Sequence, residues 1–585
     1  MRHRTKRLMN HRHPRQTRAR AGLIHFGNDL KTREPLYLKP ETLSTHMQVI
    51  GGSKTGKSFF LQVLARELIK SPQRPSVIVL DPHGSLYHDL VDFCVYAGLA
   101  DRVIYFNPST TPIIGYNPLQ RQGRAEPHYH AVMVLEAFRK VWGQQGFEAT
   151  PRLNRWLYNS IMATIEAELT MEEQLILLHP QKQFDPLRRA IVHGVSTEVV
   201  RYDWEWYLQQ SDRVREERTE SSAARLHPFL QNWYIQNILT QQRRVFTFDE
   251  ALRHGKIVLV NLSAHEGGRI PTDHAHLLGT LLVNDILAAC FRRSPRERER
   301  HPAYLIMDEF QHFVTKDICV ILNEGRKFGL HLILGHHHLG PIRERDPEVY
   351  FSVLTNATTK VIFGGISVDD AELLGRQIGR FNLDERKLEI HTPYFEPKLQ
   401  WVDIVTEHEG TAWHEGVAEV IGSGTVYTPP DGFFADPEVV RISESSSTSE
   451  TRGSSFSSGR SVTTSPLTTY VPREHLSSVT FRALEEQLRR VVEYLMDQPS
   501  QCAAIKVRGK PLRFFRVPTI KPLVVRDHFR REFKDRVLAA APYYHTPEEI
   551  AHERARRRQA LEQKADALDQ DDQTDDADPI TFVKH

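Results

Sequence analysis

Apolar residues in this chain gather into short unbroken runs, with longer segments of helical period between them. Residues 46–50 close on Val49-Ile50 and lead into a glycine-bounded turn, after which KSFFLQVLARELIK (57–70) is apolar at helical spacing. SVIVLD (76–81), VIYFN (103–107), IVLVNL (257–262), YLIMDEF (304–310), LHLIL (330–334) and VIFGG (361–365) are further runs without polar interruption. A strand wetted on one face alternates, whereas a strand buried on both faces reads as a continuous run. Helical periodicity fills 276–291, 317–328 and 369–379. This alternation predicts an α/β fold with a doubly wound, mainly parallel sheet covered by helices.

Two stretches break the alternation. From residue 126 to about 250 helical segments such as AVMVLEAFRKVW and NRWLYNSIMATIEAEL follow one another with few strand signals, which predicts an inserted all-helical domain. Residues 443–465 are Ser/Thr-rich with almost no apolar content and read as a flexible linker. Beyond it FRALEEQLRRVVEYLM predicts a helix, CAAIKVRGKPLRFFRVP a hairpin turning near Arg508-Gly509, and 526–565 a charged helical segment. The expected division is a basic disordered arm (1–21), the first part of the α/β domain (22–125), the all-α insertion (126–250), the second part of the α/β domain (251–440), a linker (441–467), a small C-terminal α+β module (468–525), and a charged helical segment with an acidic tail (526–585).

Composition adds limits. Of 585 residues, 40% are hydrophobic and 25% charged, ordinary for a water-exposed globular chain. The net charge is only +3, but it is unevenly spread. Arg2, Arg4, Lys6, Arg7, Arg12, Arg15, Arg18 and Arg20 stand in the first 28 residues with no acid among them. Asp566, Asp569, Asp571, Asp572, Asp575, Asp576 and Asp578 crowd the other end. The basic arm reads either as a solvated tail or as a contact with nucleic acid or an anionic membrane. Four dispersed cysteines with no CxxC pair fit a reducing cytosol and no zinc ribbon. The expectation is a cytoplasmic protein with no transmembrane segment of its own, peripheral at the membrane only through a partner.

The chemistry begins at Gly51, Gly52, Ser53, Lys54, Thr55, Gly56, Lys57 and Ser58. This is the phosphate-loop pattern G-x-x-x-x-G-K-[ST], in the strand–turn–helix setting it requires. Glycines let backbone N–H groups turn inward around a polyphosphate, and the helix start adds partial positive charge. Lys57 is expected on the β- and γ-phosphates, and the Ser58 hydroxyl on Mg²⁺. Asp308 and Glu309 end the YLIM run, at the strand edge where ligands of such sheets sit. Asp308 is expected to hold Mg²⁺, and Glu309 to orient and polarise the attacking water. Asp81, in LDPHG, either joins the metal or water shell or forms the turn that Pro82 and Gly84 impose. Arg326, in NEGRKFGL, is either a surface arginine at a helix end or a group reaching phosphate charge across a subunit boundary. His336, His337 and His338 occupy adjacent positions that point apart, so the expected role is a polar sensor at a strand end and not a shared metal.

With these residues in view, the chain resembles the type IV secretion coupling-protein ATPases, the TraD/TraG/VirD4 group of the HerA/FtsK superfamily. GGSKTGKS, VLDPHG, GYNPL (115–119), IMDEFQHF and EGRKFGLHLILG carry the resemblance, which covers roughly residues 22–380. It implies a RecA-like fold, ATP and Mg²⁺ as cofactors, hydrolysis through Lys57, Ser58, Asp308 and Glu309, a homo-hexameric ring with Arg326 at the arginine-finger position, and single- or double-stranded DNA in the pore. Secretion or relaxase proteins are implied partners. The chain departs from the pattern in having His337 where a sensor Gln is usual, and a basic arm where membrane members carry transmembrane helices. Competing readings are a VirB4-like secretion-assembly ATPase acting on protein, a HerA-type helicase, and a nucleotide-gated scaffold.

Overall fold

The computed structural model describes residues 22–121, 126–142, 150–263, 270–293, 300–379, 386–410, 416–417, 424–427, 439–442, 450–451 and 457–575. The basic arm, and with it Asp576 and Asp578, lies outside the described residues. The chain divides into two units, one of residues 1–380 with 489–585 and the other of residues 381–488.

The first unit is built on an eleven-stranded sheet. In chain order its strands are β1 (Ile24–Asp29), β2 (Pro35–Leu38), β3 (Met47–Ile50), β4 (Ser76–Asp81), β5 (Val103–Phe106), β6 (Ile257–Asn261), β7 (Ala303–Met307), β8 (Leu330–His336), β9 (Thr359–Phe363), β10 (Cys502–Lys506) and β11 (Arg513–Arg516). In space they run β2-β1-β11-β10-β9-β3-β8-β7-β4-β6-β5. From β9 to β5 every neighbouring pair is parallel, and from β9 to β2 every pair is antiparallel. Every residue of β3, β4, β6, β7, β8 and β9 is buried, which is why these strands read as mostly apolar runs and not as alternation. β8 alone separates the phosphate-loop strand β3 from the carboxylate strand β7, the RecA-like order.

The region 126–250 is helical throughout its described residues, from the helix Pro127–Trp142 to the helix Phe248–Arg253. Its centre is the aromatic group Trp156, Trp204 and Tyr207, with the buried guanidinium of Arg215 bonded to Asp185 at 2.8 and 3.0 Å. The helix Thr272–Arg292 is long and apolar enough to cross a membrane, but 83% of its most apolar window is buried inside the fold.

Two expected boundaries are corrected. The hairpin of the expected C-terminal module is no separate body: β10 pairs with β9 and β11 with β1, so it completes the main sheet. The apolar edge of β9 needs a partner strand, and CAAIK supplies buried Cys502, Ala503, Ala504 and Ile505. The charged end is likewise attached. In the helix Pro547–Asp575, buried Arg557 bonds Glu173 at 2.7 Å and Glu172 at 2.9 Å, and Arg554 bonds Glu172, tying it to the helical insertion.

The second correction concerns the linker and the end of the α/β domain. Arg386–Gly410 and Ser457–Phe481 form one long antiparallel ribbon in the second unit, so the α/β part stops near residue 379 and residues 457–465 of the expected linker are strand. Residues 443–449 and 452–456 lie outside the described residues. A two-stranded ribbon is open to solvent on both faces and needs no apolar core, so SVTTSPLTTYV suits it through β-branched and aromatic side chains. Cross-strand pairs such as Thr464 with Asp403 (2.7 Å) and Arg473 with Glu396 (3.1 Å) hold it.

Candidate active site

The turn after β3 is crowded by design. A Cβ on Gly52 would lie 2.5 Å from the Gly365 carbonyl oxygen. Gly56 has φ 112° and caps the helix Lys57–Ile69 in a conformation that costs a side chain energy. Lys54 shares the left-handed region at φ 61°. The Thr55 hydroxyl bonds the Gly52 carbonyl at 2.8 Å, and the Gly52 N–H bonds Gly364 at 2.9 Å. Ser53 and Lys54 face solvent. The loop is therefore a preformed concave turn at a helix start, the geometry that accepts a polyphosphate.

Lys57 opens that helix and is buried, 3% exposed. Its Nζ donates to Glu309 Oε1 at 2.8 Å and lies 3.9 Å from Asp308 Oδ1. Two residues 252 positions apart thus meet at one sheet edge. The Ser58 hydroxyl donates to Asp308 Oδ2 at 2.7 Å, which places two hard oxygen ligands of the kind Mg²⁺ takes side by side. Glu309 sits at φ 50°, left-handed for a non-glycine residue, a strain that packing around β7 imposes. Gln311 donates to its other oxygen at 2.5 Å.

His337 closes the group from the end of β8. Its Nε2 is 2.9 Å from Glu309 Oε1, and its Nδ1 is 3.0 Å from the Gly51 carbonyl oxygen and 3.3 Å from Lys57 Nζ. The hydrogen bond to Glu309 raises the His337 pKa against the opposing effect of burial. When protonated, the ring donates from both nitrogens, to Glu309 and to Gly51. For Glu309, burial pushes the pKa up, but the His337 bond and the Lys57 charge outweigh it and hold the carboxylate well below its usual range. For Asp308 burial prevails over Lys57 and Ser58, and its pKa is raised. The two adjacent carboxyls are thus shifted in opposite directions, Glu309 down and Asp308 up.

Asp81 ends the neighbouring strand β4, near enough for its charge to push the Asp308 pKa up. Its Oδ1 accepts the His83 N–H and its Oδ2 the Tyr87 N–H, both at 2.8 Å, so both oxygens are turned to its own loop. Of the two roles expected for Asp81, the structure shows the turn that Pro82 and Gly84 enforce. Arg326 stands elsewhere. It lies in the turn Gly325–Phe328 that precedes β8, at the amino edge of the parallel strands, away from its own phosphate loop. There it is exposed and, with Arg300, Tyr304 and His331, lines a cavity of about 380 Å³.

The sequence reading gave Gln311 no role of its own and grouped His336 with His337 as a strand-end sensor. Gln311 was in sight, two residues after Glu309 in DEFQ. His336 is fully buried, its Nε2 3.1 Å from Gln48 Nε2, and burial pushes its pKa down to about 3. It is a neutral packing residue of β8, and nothing in GHHHLG distinguishes it from its neighbour.

Comparison with known proteins gives two family matches. Residues 24–284 match the central domain of helicase HerA, and residues 212–393 match the type IV secretion-system coupling protein DNA-binding domain. Among curated proteins, an uncharacterised protein of Aquifex aeolicus (strain VF5) is 40% identical over 53 residues, which is 9% of this chain and 20% of that protein. The chain thus matches only a fifth of that relative's length. Among solved structures, plasmid coupling protein TrwB in complex with ADP and Mg²⁺ is 13% identical, covering 84% of this chain and 90% of its own, with TM-score 0.48. VirB4 of Thermoanaerobacter pseudethanolicus is 15% identical over 61% and 88% of the two chains, with TM-score 0.41. Overlapping, the two family matches together reach from residue 24 to residue 393, so this stretch of the chain is similar both to the central domain of helicase HerA and to the DNA-binding domain of type IV secretion-system coupling proteins.

Proposed function

We propose that this protein is an ATP-driven DNA-translocating motor that serves a type IV secretion or conjugation system as its coupling protein. The observation that carries the reading is the meeting of Lys57, Ser58, Asp308 and Glu309 at one sheet edge, Lys57 bonded to Glu309 and Ser58 to Asp308. The family match over 212–393 supports DNA as the other substrate.

Lys57 exchanges Glu309 for the β- and γ-phosphates of ATP, which frees the carboxylate to orient a water molecule for attack. Ser58 and Asp308 would hold Mg²⁺. That ion, when bound, neutralises charge developing on the phosphates. His337 keeps its bond to Glu309 and so aims the carboxylate. Gln311 restrains the second oxygen. Arg326, at the opposite edge, completes the site of an adjacent subunit in a homo-hexameric ring with DNA in its pore. The ring works on the cytoplasmic side, and membrane attachment comes through a partner.

The test is ATP turnover with and without DNA over a range of salt. Turnover that DNA accelerates, with an acceleration that fades as salt rises, is the expected result. Turnover indifferent to DNA overturns the DNA motor in favour of an ATPase acting on protein, and no turnover at all overturns the enzyme.

A further inference from the structure

We infer that the turn Asp497–Gln501, more than 400 positions downstream of the phosphate loop, is a built-in part of the phosphate cradle, and that Gln501 is its main positioning residue. The Gln501 N–H donates to the Thr55 carbonyl at 2.7 Å, and the Ser500 hydroxyl donates to the Lys54 carbonyl at 3.3 Å. A peptide unit is planar and trans, so its carbonyl and N–H point in opposite directions. Holding the Thr55 carbonyl outward therefore forces the Gly56 N–H inward. Holding the Lys54 carbonyl outward does the same for the Thr55 N–H. A flip of either peptide would aim a carbonyl dipole at the phosphates, and the two bonds oppose both flips.

The turn is itself rigidly held. Gln501 has φ 63°, a strained value for a side-chain-bearing residue. The Cys502 N–H bonds Pro499 and the Val517 N–H bonds Gln501, both at 2.9 Å. Gln498 is buried, 8% exposed, and donates to the Ile362 carbonyl at 3.0 Å. Contact with the loop is close. A Cβ on Gly56 would lie 3.0 Å from the Gln501 Cα, so glycine is required there by this turn as well as by its backbone angle. The other wall of the loop is joined to the same segment, since the Gly52 N–H bonds Gly364 and the Gly365 N–H bonds Met496, both at 2.9 Å. A phosphate loop commonly stands on its own strand and helix, whereas this one is also tied down from outside by the returning C-terminal chain.

The inference rests on nucleotide binding at this loop, and the experiment separates the two. The full-length protein is titrated with a fluorescent ADP analogue in the presence of Mg²⁺, alongside thermal melts. Gln501→Pro removes the N–H and, with φ locked at about −65°, also breaks the turn, and should weaken binding about tenfold. Gln501→Gly keeps the N–H, accepts the positive φ, and should restore binding to within about twofold. Ser500→Ala should weaken binding about two- to threefold, and Ser500→Thr should recover it. If Gln501→Pro fails to fold, the Ser500 pair decides. Wild-type protein that binds no analogue overturns the nucleotide site itself. Wild-type binding that neither Gln501→Pro nor Ser500→Ala moves overturns the role of the turn, as does a Gln501→Gly loss equal to that of Gln501→Pro.

Discussion

The two edges of the parallel half of the sheet handle charge in opposite ways. At the carboxyl edge Lys57, Asp308, Glu309 and His337 are packed within hydrogen-bond or ion-pair distance of one another, and the first three are almost fully buried. At the amino edge Arg326 is exposed and has no ion-pair partner among the described residues. Charges taken from water need partners within the fold, and the first edge supplies them. A charge left in water keeps its freedom to meet a group from outside. Among the described residues, one edge thus holds its charged groups already paired and the other holds a cation facing water, which is the division the proposed site between subunits requires.

The sharpest way to break that comparison is to disable each edge in turn. Lys57→Ala should bring ATP turnover to background, since the phosphates lose their buried cation. Arg326→Ala should lower kcat about a thousandfold with nucleotide affinity unchanged. Mixing the two variants under conditions of subunit exchange should then recover turnover, because a Lys57→Ala subunit still offers Arg326 to its neighbour. No recovery in the mixture would mean that the edges do not act on one another.

Glu309→Gln sharpens the comparison within the carboxyl edge. Turnover should fall about a hundredfold. Nucleotide affinity should hold or rise, because Lys57 no longer has a charged competitor. A drop in affinity as large as the drop in kcat would make Glu309 a structural partner of Lys57 and not a water-orienting group.

The smallest effect concerns pH. His337 has a raised pKa in the fold, so protonation contributes stability that is full below about 6.5 and is lost as pH rises through the folded value. The thermal midpoint of the wild type should therefore decline as pH rises above about 6.5, and that of His337→Gln should decline less. Equal declines would remove His337 from the charge network. Below this window the sign reverses. Burial pushes His331 and His336 down to about 3 and His46 to about 4, so each resists a proton that the unfolded chain accepts below about 6.5.

Much of this architecture was legible in the sequence because double burial leaves a local mark. Apart from buried Ser76 and His331, SVIVL, YLIM and LHLIL are runs of apolar and aromatic residues, and the acids ending two of them could only stand at a strand edge. That Lys57 and Glu309 share one sheet edge followed from the phosphate-loop pattern, which demands a carboxylate strand nearby; their direct bond did not. What stayed hidden was set by partners remote in the chain. CAAIK announces a strand, but nothing in it says that it joins β9. Ser500 and Gln501 have no pattern at all, since their part is played by one hydroxyl and one backbone N–H. Asp81 was ambiguous because its own turn competes for the carboxylate at a range of two to six residues.

Both long excursions leave the sheet from one strand and come back on its immediate neighbour. The helical region departs after β5 and returns on β6, which pairs with β5, and residues 381–488 lie between β9 and β10, which pair with each other. The stems of the second excursion already touch where Gly365 meets Met496. Such grafts can lengthen, shrink or be exchanged between lineages with little change to the ladder beneath, since closing a longer loop adds only slowly to the entropy lost. A chain in which a short tether replaces residues 381–488 should keep its sheet and its hold on nucleotide, which makes the two excursions the natural place for descent to vary what is handled while the engine stays fixed.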